Sequence, residues 1–169
     1  MKKRLFILVA GLVVLSILAA PVAAGTTRTE YEGFEYFVDS LSPGREWVSD
    51  DGVYHVRGAQ EAYEDVVSDP RLCGDTVVTI NGNFQFADEP VIVYGPMWGT
   101  TRLDNEDGYW EGSWVGKRTE SEGFSYIRGV FFGHGAYEGL QARVDYVRES
   151  PHFTDPFSVH GVVMDPGGE

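Results

Sequence analysis

The sequence predicts an all-β protein: a single antiparallel meander of about eight strands closed into a β-barrel. Three observations carry this. After the first two dozen residues, no stretch sustains apolar side chains at i, i+3, i+4 and i+7. Runs of five to ten residues rich in Val, Ile, Thr, Tyr, Phe and Trp recur instead, punctuated by Gly, Asn, Asp and Pro. The runs follow at near-regular spacing with no long linker, as in sandwiches and barrels. A barrel is preferred because a meander can close on itself and so remove its exposed edges. A chain of 169 residues fits one domain and can bury an ordinary core.

The first segment is an address rather than a fold. Met1-Lys2-Lys3-Arg4 is cationic, Leu5 to Ala20 is an uncharged, mostly aliphatic run of sixteen residues, and Pro21 then breaks it. Val22-Ala23-Ala24 supplies small residues for cleavage after Ala24, so residues 1–24 read as a secretory signal peptide. An uncleaved anchor is the rival, but sixteen residues fall short of the roughly 20 that span a bilayer. The expected location is therefore extracytoplasmic, with nothing embedded in a membrane after cleavage.

Strands are expected near 31–38, 53–60, 75–81, 83–87, 91–103, 109–118, 124–132, 142–148 and 157–164, giving one domain over 27–166 and a frayed tail at 167–169. Asp107-Gly108 is a tight hairpin signal, and Ser121-Glu122-Gly123 marks the next turn. Asn81-Gly82 reads either as a turn or as a bulge inside one strand from Thr76 to Ala87; the short flanking runs favour the bulge. Segment 59–72 reads as strand end plus loop, with a helical turn as the alternative. Aromatic-Glu-Gly occurs three times, at Tyr31-Glu32-Gly33, Trp110-Glu111-Gly112 and Tyr137-Glu138-Gly139. The unequal intervals rule out a solenoid period, so the motif is read as local: the aromatic packs inward and the glycine permits a bulge or coil.

Charge and composition exclude more than they select. The net charge is −13, and removing residues 1–24 takes away three of the 13 lysines and arginines but no acid, moving it to −16. Such a surface resists nucleic acid and anionic lipid. The single cysteine, Cys73, excludes an intrachain disulfide and a cysteine-based zinc cluster.

The candidate site is aromatic. Trp98, Tyr109, Trp110 and Trp114 fall within seventeen residues, and alternation places Trp110, Gly112, Trp114 and Gly116 on one strand face. That face either lines a cavity or is ordinary core with glycines making room for neighbouring rings. Glu111 and Glu138 lie beside aromatics in the repeated motif, but no spacing brings them together as an acid–base pair. His55, His134, His152 and His160 lack metal-ligand spacing and read as hydrogen-bonded structural imidazoles. Asp104-Asn105-Glu106-Asp107-Gly108 offers oxygen donors for calcium without an EF-hand loop, and doubles as a hairpin turn. No cofactor and no metal are expected. There is no nucleotide-binding glycine loop and no recognisable nucleophile–histidine–acid set.

From Val91 to Gly167, three motifs and an ending follow one another: Pro96-Met97-Trp98-Gly99-Thr100, Gly108-Tyr109-Trp110-Glu111-Gly112-Ser113-Trp114, Gly133-His134-Gly135-Ala136-Tyr137-Glu138-Gly139-Leu140-Gln141-Ala142, and Val159-His160-Gly161-Val162-Val163-Met164-Asp165-Pro166-Gly167. This stretch resembles the barrel superfamily of allene oxide cyclases and dirigent proteins, in particular its secreted bacterial branch. The resemblance implies an eight-stranded antiparallel barrel with an apolar cavity. It transfers no catalytic residue, because the cavity acids and polar groups of those proteins have no matching positions here.

The leading expectation is a secreted, non-catalytic barrel binding a small apolar or aromatic ligand through Trp98, Trp110, Trp114, Tyr137, Glu111, Glu138 and His134. A carbohydrate or surface interaction module is second. A cyclase or isomerase is third.

Overall fold

The computed structural model describes residues 26–87 and 92–167. Within them run β1 (Thr27–Ser42), β2 (Arg45–Val48), β3 (Tyr54–Val67), β4 (Gly74–Ala87), β5 (Ile92–Asp104), β6 (Gly108–Arg118), β7 (Ser125–Gly135), β8 (Gln141–Arg148) and β9 (Phe157–Asp165). The only helical turn among the described residues is a 3-10 turn at Pro70–Leu72. The signal-peptide segment 1–24, the first residue of the strand expected at 91–103 and the last two residues of the tail lie outside the described residues.

Every strand pair is antiparallel, and from β3 to β9 each strand pairs with the next. β9 then pairs with β1 and β1 with β3, which closes the tube. β2 continues the first stave: Gly33–Ser42 runs along Val67–Gln60, and Arg45–Val48 carries on along Arg57–Tyr54. The break between them is local chemistry. Pro43 has no N–H to give, and Gly44 takes a φ of +66° opposite the bulge at Gly58, whose φ is +69°. A Cβ on Gly44 would lie 2.4 Å from the Arg57 carbonyl oxygen. Eight staves therefore close a meander, with β2 as the extra strand.

Three local expectations are settled here. Asn81-Gly82 is not a turn: β4 runs unbroken through it, and the bulge sits across the ladder at Gly58, whose N–H donates to Asn81 Oδ1 at 3.1 Å. Segment 59–72 holds both readings: the strand end reaches Val67, further than expected, and a 3-10 turn forms at Pro70–Leu72. The sequence conceals this because Glu61, Glu64 and Asp65 interrupt its apolar pattern. β2 has no counterpart among the expected strands; its four residues are all exposed, so no buried face marks it.

Alternation then decides what faces the axis. Trp110, Trp114 and Arg118 of β6 are buried, whereas Glu111, Ser113, Val115 and Lys117 are exposed. Gly112 keeps the tryptophan face open for a ring from the next strand, since a Cβ there would lie 2.8 Å from Phe131 Cδ1. All three aromatics of the repeated motif, Tyr31, Trp110 and Tyr137, are buried, and Glu32, Glu111 and Glu138 all stay outside.

Candidate functional site

The interior divides along its length. At the end formed by the 3-10 turn and the β5–β6 and β7–β8 connections, the tube is plugged. Trp110, with no exposed surface, stacks on Tyr137 with ring centroids 5.4 Å apart. Its indole N–H donates to the Arg71 carbonyl at 2.8 Å, and the Tyr137 hydroxyl donates to Asn105 Oδ1 at 2.9 Å. Asn105 closes the plug by donating to the Arg71 and Cys73 carbonyls while accepting the N–H groups of Asp107 and Gly108. The 104–108 turn, whose oxygens could also have suited calcium, is thus a side-chain-pinned hairpin whose Asn105 oxygen already serves three donors.

Toward the other end the tube is hollow. A cavity of about 280 Å3 lies between Trp114, Val78, Met97, Tyr146 and Phe157, with Phe153 of the β8–β9 loop at its edge. This is at the small end of the roughly 300–1,000 Å3 typical of ligand sites. Most of its wall is apolar or aromatic, and Trp114 turns its own N–H away from it toward the Thr100 carbonyl at 3.3 Å. Tyr63 and Tyr146 add two phenols whose pKa values burial pushes up, so both stay neutral.

Two groups of polar residues share this interior. On one side, Glu35 of β1 and Asp65 of β3 are register partners, both buried. Burial, and then the neighbouring Asp65 charge, hold Glu35 well above the usual carboxylate range despite the opposing pull of Arg148. Burial pushes Asp65 up to about 7, against a 2.5 Å hydrogen bond donated by Thr76 Oγ1. Two carboxylates facing each other across a ladder in an apolar tube cannot both ionise cheaply, so the pair retains a proton near neutrality. Glu35 is the member of the pair that borders the cavity. On the other side, Arg118, Ser125 and Arg148 border the same cavity and are each at least nine-tenths buried.

The residues expected from sequence fall into three places. Trp114 lines the cavity. Trp110 and Tyr137 are buried in the plug and do not border it. Trp98, Glu111, Glu138 and His134 lie on the outer wall. There Arg57 covers the Trp98 ring at 4.9 Å. His134 stacks on Tyr109 at 4.5 Å, with Glu111 Oε1 3.3 Å and Glu138 Oε2 3.8 Å from its ring nitrogens. Arg102 covers the other end of that cluster, 3.8 Å over Tyr109. The two glutamates are therefore brought to one histidine, but on an exposed surface. Among the described residues, no group of three or more His, Cys, Asp or Glu side chains is placed to hold a metal ion.

Glu35, Asp65, Arg118 and Arg148 were missed. Their signal was phase: Arg118 is the next member of the series Trp110, Gly112, Trp114, Gly116, and Arg148 follows Ala142, Val144 and Tyr146 at the same spacing. A charge in the inward phase of a strand is the mark of a buried polar site.

No family model, no curated protein and no solved structure matches the chain. Among the described residues, no helix is long and apolar enough to cross a membrane.

Proposed function

We propose that this is an exported barrel that binds one small apolar or aromatic molecule in its hollow half without transforming it. The observation that carries the reading is the cavity of about 280 Å3 walled by aromatic and aliphatic side chains, held open in a tube whose other end is packed solid. A rigid, preformed, largely apolar pocket favours ligands that bury most of their surface. The leader-like residues 1–24 support export, and the glycine-rich motifs from Val91 to Gly167 support kinship with the allene oxide cyclase and dirigent barrels. Trp110 and Trp114 face inward, so neither offers a ring to a sugar at the surface.

The test is a fluorescence titration with hydrophobic probes, read through Trp114. Saturable change in the unaltered protein, abolished in Trp114→Phe and retained in Trp98→Phe, is expected. No saturable response across a broad panel would remove the reading.

A second reading, catalysis of cyclase or isomerase type, draws on one observation: the buried Glu35–Asp65 pair, whose carboxyls burial raises, reaches the cavity wall at Glu35. Such a group can donate a proton to an epoxide or polyene held against it. Product distributions from such substrates that match the uncatalysed reaction, and do not respond to Glu35→Gln, would exclude it.

A further inference from the structure

We propose that the ligand of the hollow half carries a carboxylate, which docks on the row formed by Arg118, Ser125 and Arg148. This inference rests on the binding reading above and specifies the chemistry of what binds.

The row is written in the register. Arg118 of β6 is the cross-strand partner of Ser125 of β7, and Ser125 is the partner of Arg148 of β8. Three neighbouring staves thus place the inward side chains at one end of the tube abreast, the last of β6 and β8 and the first of β7, roughly 5 Å apart at Cβ. All three border the cavity, at 5%, 1% and 4% exposure. Every buried side-chain nitrogen or oxygen that lacks a hydrogen-bond partner among the described residues belongs to this row: Arg118 Nε and Nη1, Ser125 Oγ and Arg148 Nε. Buried polar groups are seldom left orphaned, and a cluster of them at one spot calls for a missing partner.

That partner has to be an acceptor, and the surroundings make it an anion. Each guanidinium gives one N–H to the β8–β9 loop, Arg118 to the Pro151 carbonyl and Arg148 to the Phe153 carbonyl, both at 2.6 Å. The Phe153 ring backs both, 4.0 Å from Arg118 and 5.4 Å from Arg148. The loop therefore fixes the two forks; Arg148 also donates to the Tyr63 hydroxyl, which leaves Arg118 Nε and Nη1 and Arg148 Nε as the unpartnered donors. Arg118 is lowered to about 10 by burial and then by the like charge of Arg148, so both remain protonated at neutral pH. No carboxylate acts on Arg118 to offset this, whereas Glu61 and Glu35 partly offset Arg148.

The acids that share the cavity are engaged. Glu61 accepts a hydrogen bond from the Tyr63 hydroxyl, Glu46 interacts with Tyr54, and Glu35 shares the raised, proton-retaining pair with Asp65. A carboxylate matches the need: two oxygens for two forks, with the Ser125 hydroxyl as a third donor. The apolar body of the ligand then extends toward Trp114 and Phe157.

The test compares 2-naphthoate with 2-naphthamide, which share shape and differ in charge, by calorimetry at pH 7.5. Naphthoate is expected to bind at least about tenfold tighter, the yield of one charge-assisted hydrogen bond to a buried cation. In Arg118→Met that ratio should fall toward one. Equal affinities on the unaltered protein, or a preference for the amide, overturn the carboxylate while leaving the binding reading intact. Absence of binding by either probe overturns the carboxylate, and the probe panel above decides the binding reading separately. Should Arg118→Met fail to fold, Ser125→Ala takes its place, with a drop in the ratio of roughly twofold to fivefold; an unchanged ratio in the folded variant also counts against the proposal.

Discussion

The two halves of this barrel are built from the same strands, yet they solve the interior differently. In the plugged half, the stacked pair is matched: the Trp110 N–H finds the Arg71 carbonyl, and the Tyr137 hydroxyl finds Asn105. In the hollow half, the same alternation delivers Arg118, Ser125 and Arg148 to the axis with donors unspent. One end matches its polar groups within the chain, and the other leaves donors for the ligand proposed above. Hydrogen-bond satisfaction is what separates them.

The sharpest way to break this contrast is to remove one tryptophan from each half. Trp110→Ala should cost about 3–5 kcal/mol, the range for emptying a packed aromatic site, because the stack on Tyr137 and the bond to Arg71 go together. Trp114→Ala, beside space that is already open, should cost at least about 1 kcal/mol less and instead weaken probe binding. Urea unfolding of both variants checks it. Equal losses would mean the halves are packed alike.

Next in size is the acid pair. Because the folded carboxyls of Glu35 and Asp65 are raised, the unfolded chain releases their protons first as pH rises. Their penalty is absent below about pH 4 and grows toward pH 7. Glu35→Gln should therefore match the unaltered protein at pH 4 and be the more stable of the two at pH 7. Melting temperatures across that range give the answer; a variant that is less stable at pH 7 would contradict the assignment.

The smallest effect is expected outside the tube. Breaking the His134–Glu111 contact with His134→Ala should change stability by under about 0.5 kcal/mol, as for other exposed pairs, and leave probe affinity alone. A measurable loss of binding would move the site to the outer wall.

The fold was legible because the β signal is dense and turn residues separate it; even the inward phase of Trp110 and Trp114 could be read directly. The site was legible only in part. Trp114 came from the right strand and the right face, but Glu111, Glu138 and His134 were drawn from motif proximity, and they occupy the solvent phase of their elements. Local sequence gives the phase of a residue within its own strand. It does not give register between strands, and register is what sets Glu35 opposite Asp65 and aligns Arg118, Ser125 and Arg148. Nor can it say which end of a closed tube stays empty, since that depends on how far the Pro70–Leu72 turn and Asn105 reach over the opening.

The most direct measurement is a titration of the tryptophan indole N–H resonances with 2-naphthoate by NMR. The account predicts a saturable shift of the Trp114 signal while the Trp110 signal holds still. Shifts confined to Trp47 and Trp98, or none at saturating probe, would contradict it.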